Sequence, residues 1–379
     1  MRDPMSTVRA RFATPPRTLA RDMGWVAGGV FPLVLFSRLF ESPALGDTTV
    51  SWAAPALIAL LATAPRARWA ALIVSCLAAV GAALIAGGDS ALEASERAGV
   101  YGVEGLAGAL LAGAILERSD GAATPLAFAG LLVTVALLPP ALGATIAGAL
   151  RLPAEIPETA HAVPMLWLGN CSADSFATLA LFPLAFGLRR HPPQRMERRD
   201  VAVTVLLAAL VCLVTTLSVL TMARPFAFCS LVLGMAALVA GPRTRFLVVW
   251  ICLASAASIV GRMPAPDGGF DIAWIELNLF LPGMAIALPI QVLSVALERV
   301  RLANAVLQDS RERFRRLYDN APVMLQSLDE DGRTTEVNAQ WLATLGYRDA
   351  DEVRGAPFER FLAHDDERAR DADGEPVER

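Results

Sequence analysis

The 379-residue chain has no lysine; all 33 of its basic residues are arginines. That bias is read as codon composition and carries no mechanistic weight. Cysteine is sparse and scattered. Cys76, Cys171, Cys212, Cys229 and Cys252 each lie inside an apolar block, with no CxxC pair and none in the charged C-terminal tail. Disulfide, metal and haem readings therefore have no support, and the five are expected to be small apolar fillers in buried positions. Histidine is scarcer still, with only His161, His191 and His364. No Ser/His/Asp arrangement, metal-ligand spacing or Gly-rich phosphate loop is present. No catalytic residue, cofactor site or metal site is assigned. Charge is also low at 18%, against about 25% in ordinary soluble domains.

What the chain has in abundance is apolar sequence: 55% of residues, with a mean hydropathy of +0.48. Charge is segregated as well. Residues 25–297 are a succession of apolar blocks, and the chain turns polar from Glu298 onward. This divides it into a membrane part and a smaller soluble part. Ten spans are read near 25–40, 51–65, 69–87, 99–116, 124–150, 163–188, 201–222, 226–241, 246–260 and 272–297. The expected fold is an all-α polytopic bundle of about ten spans followed by a partial α/β domain. Its parts are a cytoplasmic tail (1–24), the membrane domain (25–297), a linker helix (298–312) and the soluble domain (313–379).

Arginine in the connecting loops sets the orientation. Loops on the N-terminal side hold ten: Arg66, Arg68, Arg118, Arg189, Arg190, Arg195, Arg198, Arg199, Arg243 and Arg245. Loops on the other side hold five, Arg38, Arg97, Arg151, Arg224 and Arg262, accompanied by acids such as Asp89, Glu93 and Glu155. The positive-inside rule places both termini in the cytoplasm. The cluster at 189–199 is expected to meet anionic lipid, and no nucleic-acid partner is implied.

Few polar residues lie at membrane depth. The segment 163–188, VPMLWLGNCSADSFATLALFPLAFGL, is long enough to cross a bilayer yet carries Asn170, Cys171, Ser172 and Asp174 near its middle. An ionised Asp at mid-bilayer costs about 2.5–3.5 kcal/mol on insertion scales, so it should face protein, a wet cavity or a partner. Two readings stay open: a polar knot that holds helices together, and a ligand or proton site. Glu104 is the second such acid, in the Gly-rich span with Gly102, Gly105, Gly108 and Gly113, which allow close helix approach. Glu276 and Asn278 start the last span and are read as interfacial. Pro139-Pro140 should break or kink the 124–150 span. Kinked helices and buried acids also suit a secondary transporter with a regulatory tail.

Three stretches together resemble the membrane-associated sensor (MASE) domain of bacterial signalling proteins, of the first-described type. SWAAPALIALLATAPRARWAALIVSCLAAVGAAL (51–84) is similar to its Trp-led pair of spans joined by a basic turn. VYGVEGLAGALLAGAILER (100–118) resembles its span with one acid followed by small residues. WLGNCSADSFATLALFPLAFGL (167–188) looks like its signature span, with Trp167, Asp174, Pro183 and Leu184 at the matching positions. Ala177 stands where the family tends to have Gly, and a second Trp near Asn170 is missing. The resemblance implies a sensory input module responding to an unidentified small molecule or membrane signal. Asp174, Glu104, Trp167 and Asn170 are its candidate sensing residues.

Beyond the last span a heptad continues. Leu293, Val300, Leu307 and Phe314 fall seven apart, with Leu297, Asn304, Arg311 and Tyr318 four residues after each. A parallel homodimer and an ordinary surface helix both fit this seam. A hairpin should follow, from the apolar run 323–328, the Asp331-Gly332 turn and residues 333–337. Asn338 should then cap a helix that buries Trp341, Leu342 and Leu345 and ends at Gly346. Asn320-Ala321-Pro322, Asp331-Gly332, Asn338, Trp341, Gly346-Tyr347, Gly355 and His364-Asp365-Asp366 together resemble the first half of a PAS sensor domain. That resemblance implies a five-stranded sheet, frequent dimerisation, and here an empty relay domain without cofactor. Only the first part of that sheet has sequence to form it, so the chain reads as a fragment of a longer receptor. Neither a GGDEF signature nor a phosphoacceptor-histidine helix occurs. The output, a histidine kinase or a diguanylate cyclase, is expected outside these residues.

Overall fold

The computed structural model describes residues 19–37, 50–119, 124–151, 162–190, 198–221, 226–262 and 275–362. Residues 1–18, His161, His191, Arg195 and His364-Asp365-Asp366, on which parts of the sequence reading fall, lie outside that set. The chain divides into two compact units, Met1–Glu298 and Arg299–Arg379.

The first unit is helical throughout its described residues. Helices α1 (Leu19–Trp25) and α2 (Phe31–Ser37) are joined by a π-helical turn, Val26–Val30. There follow α3 (Ala53–Ala62), α4 (Trp69–Ala86), α5 (Ala91–Arg118) and α6 (Pro125–Arg151). Next come α7 (Ala162–Arg190), α8 (Arg198–Thr221), α9 (Phe226–Val239) and α10 (Pro242–Arg262). A second π-helical turn, Glu276–Phe280, opens the long α11 (Leu281–Asp319). Among the described residues six helices are long and apolar enough to cross a membrane, those at 66–86, 91–118, 125–150, 164–189, 198–221 and 276–319. Four shorter apolar helices, Asp22–Ser37, Ala53–Ala62, Phe228–Val239 and Thr244–Val260, accompany them.

Helix α3 shows what the short ones do. Its ten residues rise about 15 Å, half of the roughly 30 Å hydrocarbon core. Nine of them, Ala53 to Leu61, are buried. A helix that is apolar on every side belongs inside a bundle, and α3 packs against both α5 and α7. The glycines of α5 make this approach possible. A β-carbon at Gly108 would sit 2.5 Å from Ile58 Cδ1, and one at Gly105 would collide with Leu57. Gly113, expected to share this role, faces open space. Helix α7 is the most enclosed of the six long helices, with 83% of its apolar window buried against 22–44% for the rest.

The prolines lie within continuous helices, so Pro139-Pro140 do not break their span. Helix α6 continues through Pro139-Pro140 without interruption, as happens in bundles where neighbouring groups satisfy freed carbonyls. In α7, Pro183 has no N–H to donate to the carbonyl of Leu179, its partner four residues back. Gln291 of α11, 1% exposed, takes that place: its Nε2 donates to the Leu179 carbonyl at 2.6 Å. Gln291→Leu is expected to cost about 1–3 kcal/mol, the penalty for a buried carbonyl left alone. Adding Pro183→Ala should restore most of it, because Ala brings back the helical donor. Thermal melts of the purified protein check both steps.

Two arginines assigned to loops are in fact buried. Arg189 is 3% exposed, held by an ion pair to Asp22 and a hydrogen bond to Thr63. Arg245 donates to the carbonyls of Ala240 at 2.7 Å and Ser294 at 2.8 Å, tying α10 to α11. They serve as internal clasps, which for Arg189 corrects its reading as part of a cluster that meets lipid. Cys76, Cys229 and Cys252 are buried as expected, Cys171 is half-buried, and Cys212 faces outward. An outward thiol costs little against lipid.

In the second unit, β1 (Gln326–Leu328) pairs antiparallel with β2 (Thr334–Val337), Gln326 opposite Val337. Asp329 Oδ1 accepts from the amides of Asp331 and Arg333, and Gly332 takes φ +73°, which an L side chain resists. The hairpin is thus as expected, although its first strand begins at Gln326 rather than 323. Helix α12 (Ala339–Leu345) is capped by Asn338 and ends at Gly346 with φ +78°. Its core is Trp341, Val337 and Val353, with Tyr347 and Phe361 against the indole. Leu345, expected inside, is 39% exposed; one turn after Trp341, it projects past the small sheet.

Candidate functional site

Glu104 and Asp174 come from helices 70 residues apart in sequence, and the bundle brings them together. Glu104 is 1% exposed and Asp174 is 8% exposed. Their carboxyl groups lie within hydrogen-bonding reach of each other. The walls follow from the packing just described. Gly143 of α6 closes over Glu104 so tightly that any side chain there would collide with its carboxyl. The backbone of Ser51, ahead of α3, reaches the Asp174 carboxyl.

A third acid completes the surroundings. Glu276, in the π-helical turn before α11, is 5% exposed and reaches Ser172 of α7. It is thus buried against protein, and the π-helical turn carries it against α7. Cys171 lies in the combined field of Asp174, Glu104 and Glu276. Both oxygens of Glu104, Oδ1 of Asp174 and Oε1 of Glu276 are buried without a hydrogen-bond partner when all three are written as carboxylates. No ion pair among the described residues includes any of the three acids. Nor do the described residues contain a group of three or more His, Cys, Asp or Glu disposed to hold a metal ion.

The other two candidates stand apart. Trp167 is 38% exposed, and its indole N–H donates to Thr145 Oγ1 at 3.0 Å, which pins the start of α7 to α6. Asn170 is half-buried. Neither contributes to the acidic pair. Sequence reasoning passed over Gly143 and Ser51, and it noticed Glu276 as an acid at the head of an apolar span without joining it to this region.

Asn338 is the polar centre of the second unit. Fully buried, its Oδ1 accepts from the amides of Leu325 and Trp341, each at 3.0 Å. Its Nδ2 donates to the carbonyls of Tyr318 at 3.1 Å and Val323 at 2.9 Å. One side chain thus joins the end of α11, the first strand and the first turn of α12.

Residues 312–379 match the family model of the PAS domain. The region after α11 is therefore a PAS region, and its capped helix and hairpin are the parts of that domain described above. The match includes none of residues 1–311. No curated protein and no solved structure matches the chain.

Proposed function

We propose that this chain is the sensory input region of a bacterial inner-membrane receptor. Its MASE-type bundle, crossing the membrane ten times, senses through the Glu104–Asp174 site. The last helix then relays the change to a dimeric PAS region and an output of the histidine-kinase or diguanylate-cyclase kind. The observation that carries this reading is one helical segment. Glu276 at its start reaches Ser172 of α7, two residues before Asp174, Gln291 holds α7 at its proline, and the same α11 runs on to Asp319, where the PAS match has begun. Exposed Val300, Leu307 and Phe314 keep the heptad seam open for a second copy.

Thiol labelling of intact cells tests the arrangement. In a background with the five cysteines replaced, Leu307→Cys and Arg118→Cys should be protected from a membrane-impermeant maleimide, while Glu96→Cys should react. Labelling of Leu307→Cys from outside would put the PAS region on the wrong side and end the relay reading. Solute uptake by proteoliposomes, abolished by Asp174→Asn, would instead support a transporter.

A further inference from the structure

The acidic pair poses a problem of charge. Two ionised carboxylates within hydrogen-bonding reach repel each other, and burial in an apolar bundle removes the water that would screen them. The residues facing them offer no compensation. Helix α3 and its approach bring the Ser51 backbone, and α6 brings Gly143. Helix α7 adds Cys171, and the π-helical turn before α11 adds Glu276, itself an acid. Among the described residues the charge acting on Glu104 is that of Asp174, which is negative.

We propose that Glu104 and Asp174 form a proton-binding site that holds one proton between them. The inference deepens the sensory reading by naming the ligand of that site, and it rests on that reading only for its consequence. A carboxylic acid donates where a carboxylate cannot, so a single proton turns the repelling contact into a hydrogen bond. The proton sits on Glu104, because the Ser51 backbone donor favours an anionic Asp174 and Glu104 has no such donor. Removing it leaves two like charges together, which the helices relieve by moving apart. Helices α5 and α7 are then the two faces of a contact that proton occupancy closes and proton loss opens. Among the described residues the pair is not joined by a third His, Cys, Asp or Glu into a group disposed to hold a metal ion.

Infrared difference spectroscopy of the full chain in nanodiscs, stepped from acid to alkaline buffer, reads this site directly. The expected result is a buried protonated-carboxyl band that is lost at alkaline pH. It should be absent in Glu104→Gln, shifted in Asp174→Asn and intact in Glu276→Gln. The amide of Gln keeps a donor toward Asp174, so Glu104→Gln should fold. The pH dependence of the unaltered protein stands even if that variant does not. A band untouched by both Glu104→Gln and Asp174→Asn, or no such band, overturns the proposal. Loss of the band on adding sodium at fixed pH also overturns it, in favour of a metal-ion site. The spectrum reports proton binding whether or not the site signals, so its failure is distinct from failure of the relay.

Discussion

Asp22→Asn is expected to destabilise the membrane bundle by about 3–5 kcal/mol, the cost of breaking a buried ion pair by removing one partner. Asp22 is fully buried. Its Oδ1 receives Arg189 at 2.7 Å and its Oδ2 receives Arg68 at 3.3 Å. The Arg189 guanidinium also lies 5.4 Å over the Trp25 ring and bonds Thr63. One carboxylate therefore fastens α1 to the turn before α4 and to the end of α7. Without it Arg189, nearly as buried, loses the carboxylate that it meets at 2.7 Å. Arg189→Gln in the same chain should recover part of the loss, because the buried charge is then gone. Chemical denaturation of the purified protein measures both. A loss below about 1 kcal/mol for Asp22→Asn would mean that water reaches Arg189, and the clasp would not be one.

Asn338→Ala is expected to loosen the PAS region by roughly 2–3 kcal/mol. The lost helix cap accounts for about 1 kcal/mol. The rest comes from partner groups deprived of their bonds. Native-state hydrogen exchange of the full chain resolves this residue by residue. The amides of Leu325 and Trp341 should exchange roughly 100-fold faster, at 1.4 kcal/mol per factor of ten. Asn338→Asp keeps the acceptor for both amides while turning the donor toward carbonyls into a charge, so it should fall between. Unchanged exchange at both amides would show that the surrounding packing, rather than this side chain, holds the turn.

These cases show what sequence makes legible. The hairpin and the capped helix could be read because their signals are local: Asp331-Gly332, Asn338 and Gly346 act within a few residues. The helical membrane character was legible from composition. Glu104 and Asp174 each stood out as an acid in an apolar span, but their meeting depends on α3, α5 and α7 packing through Gly105 and Gly108. Spacing along the chain does not reveal that. Arg189 was misread because it opens a run of arginines that resembles a lipid anchor, whereas its partner lies 167 residues earlier. Gln291 left a trace that went unused, an amide deep within an apolar span of a chain whose signature span carries a proline. Glu276 was placed at the interface because it stands near a span end, and only the π-helical turn brings it to Ser172.

The central claim is that the acidic site in the bundle biases the helix leading to the PAS region. Disulfide cross-linking of Leu307→Cys in native membranes, with the other cysteines replaced, tests it most directly. If α11 pairs with a second copy through the heptad seam, this variant should form a cross-linked dimer. Adding Asp174→Asn at equal protein level should change the cross-linking rate about fivefold or more, the lower end of ordinary coupling between sites. No cross-linked dimer, or the same rate with and without Asp174→Asn, would contradict the account and leave the pair as a structural knot between α5 and α7.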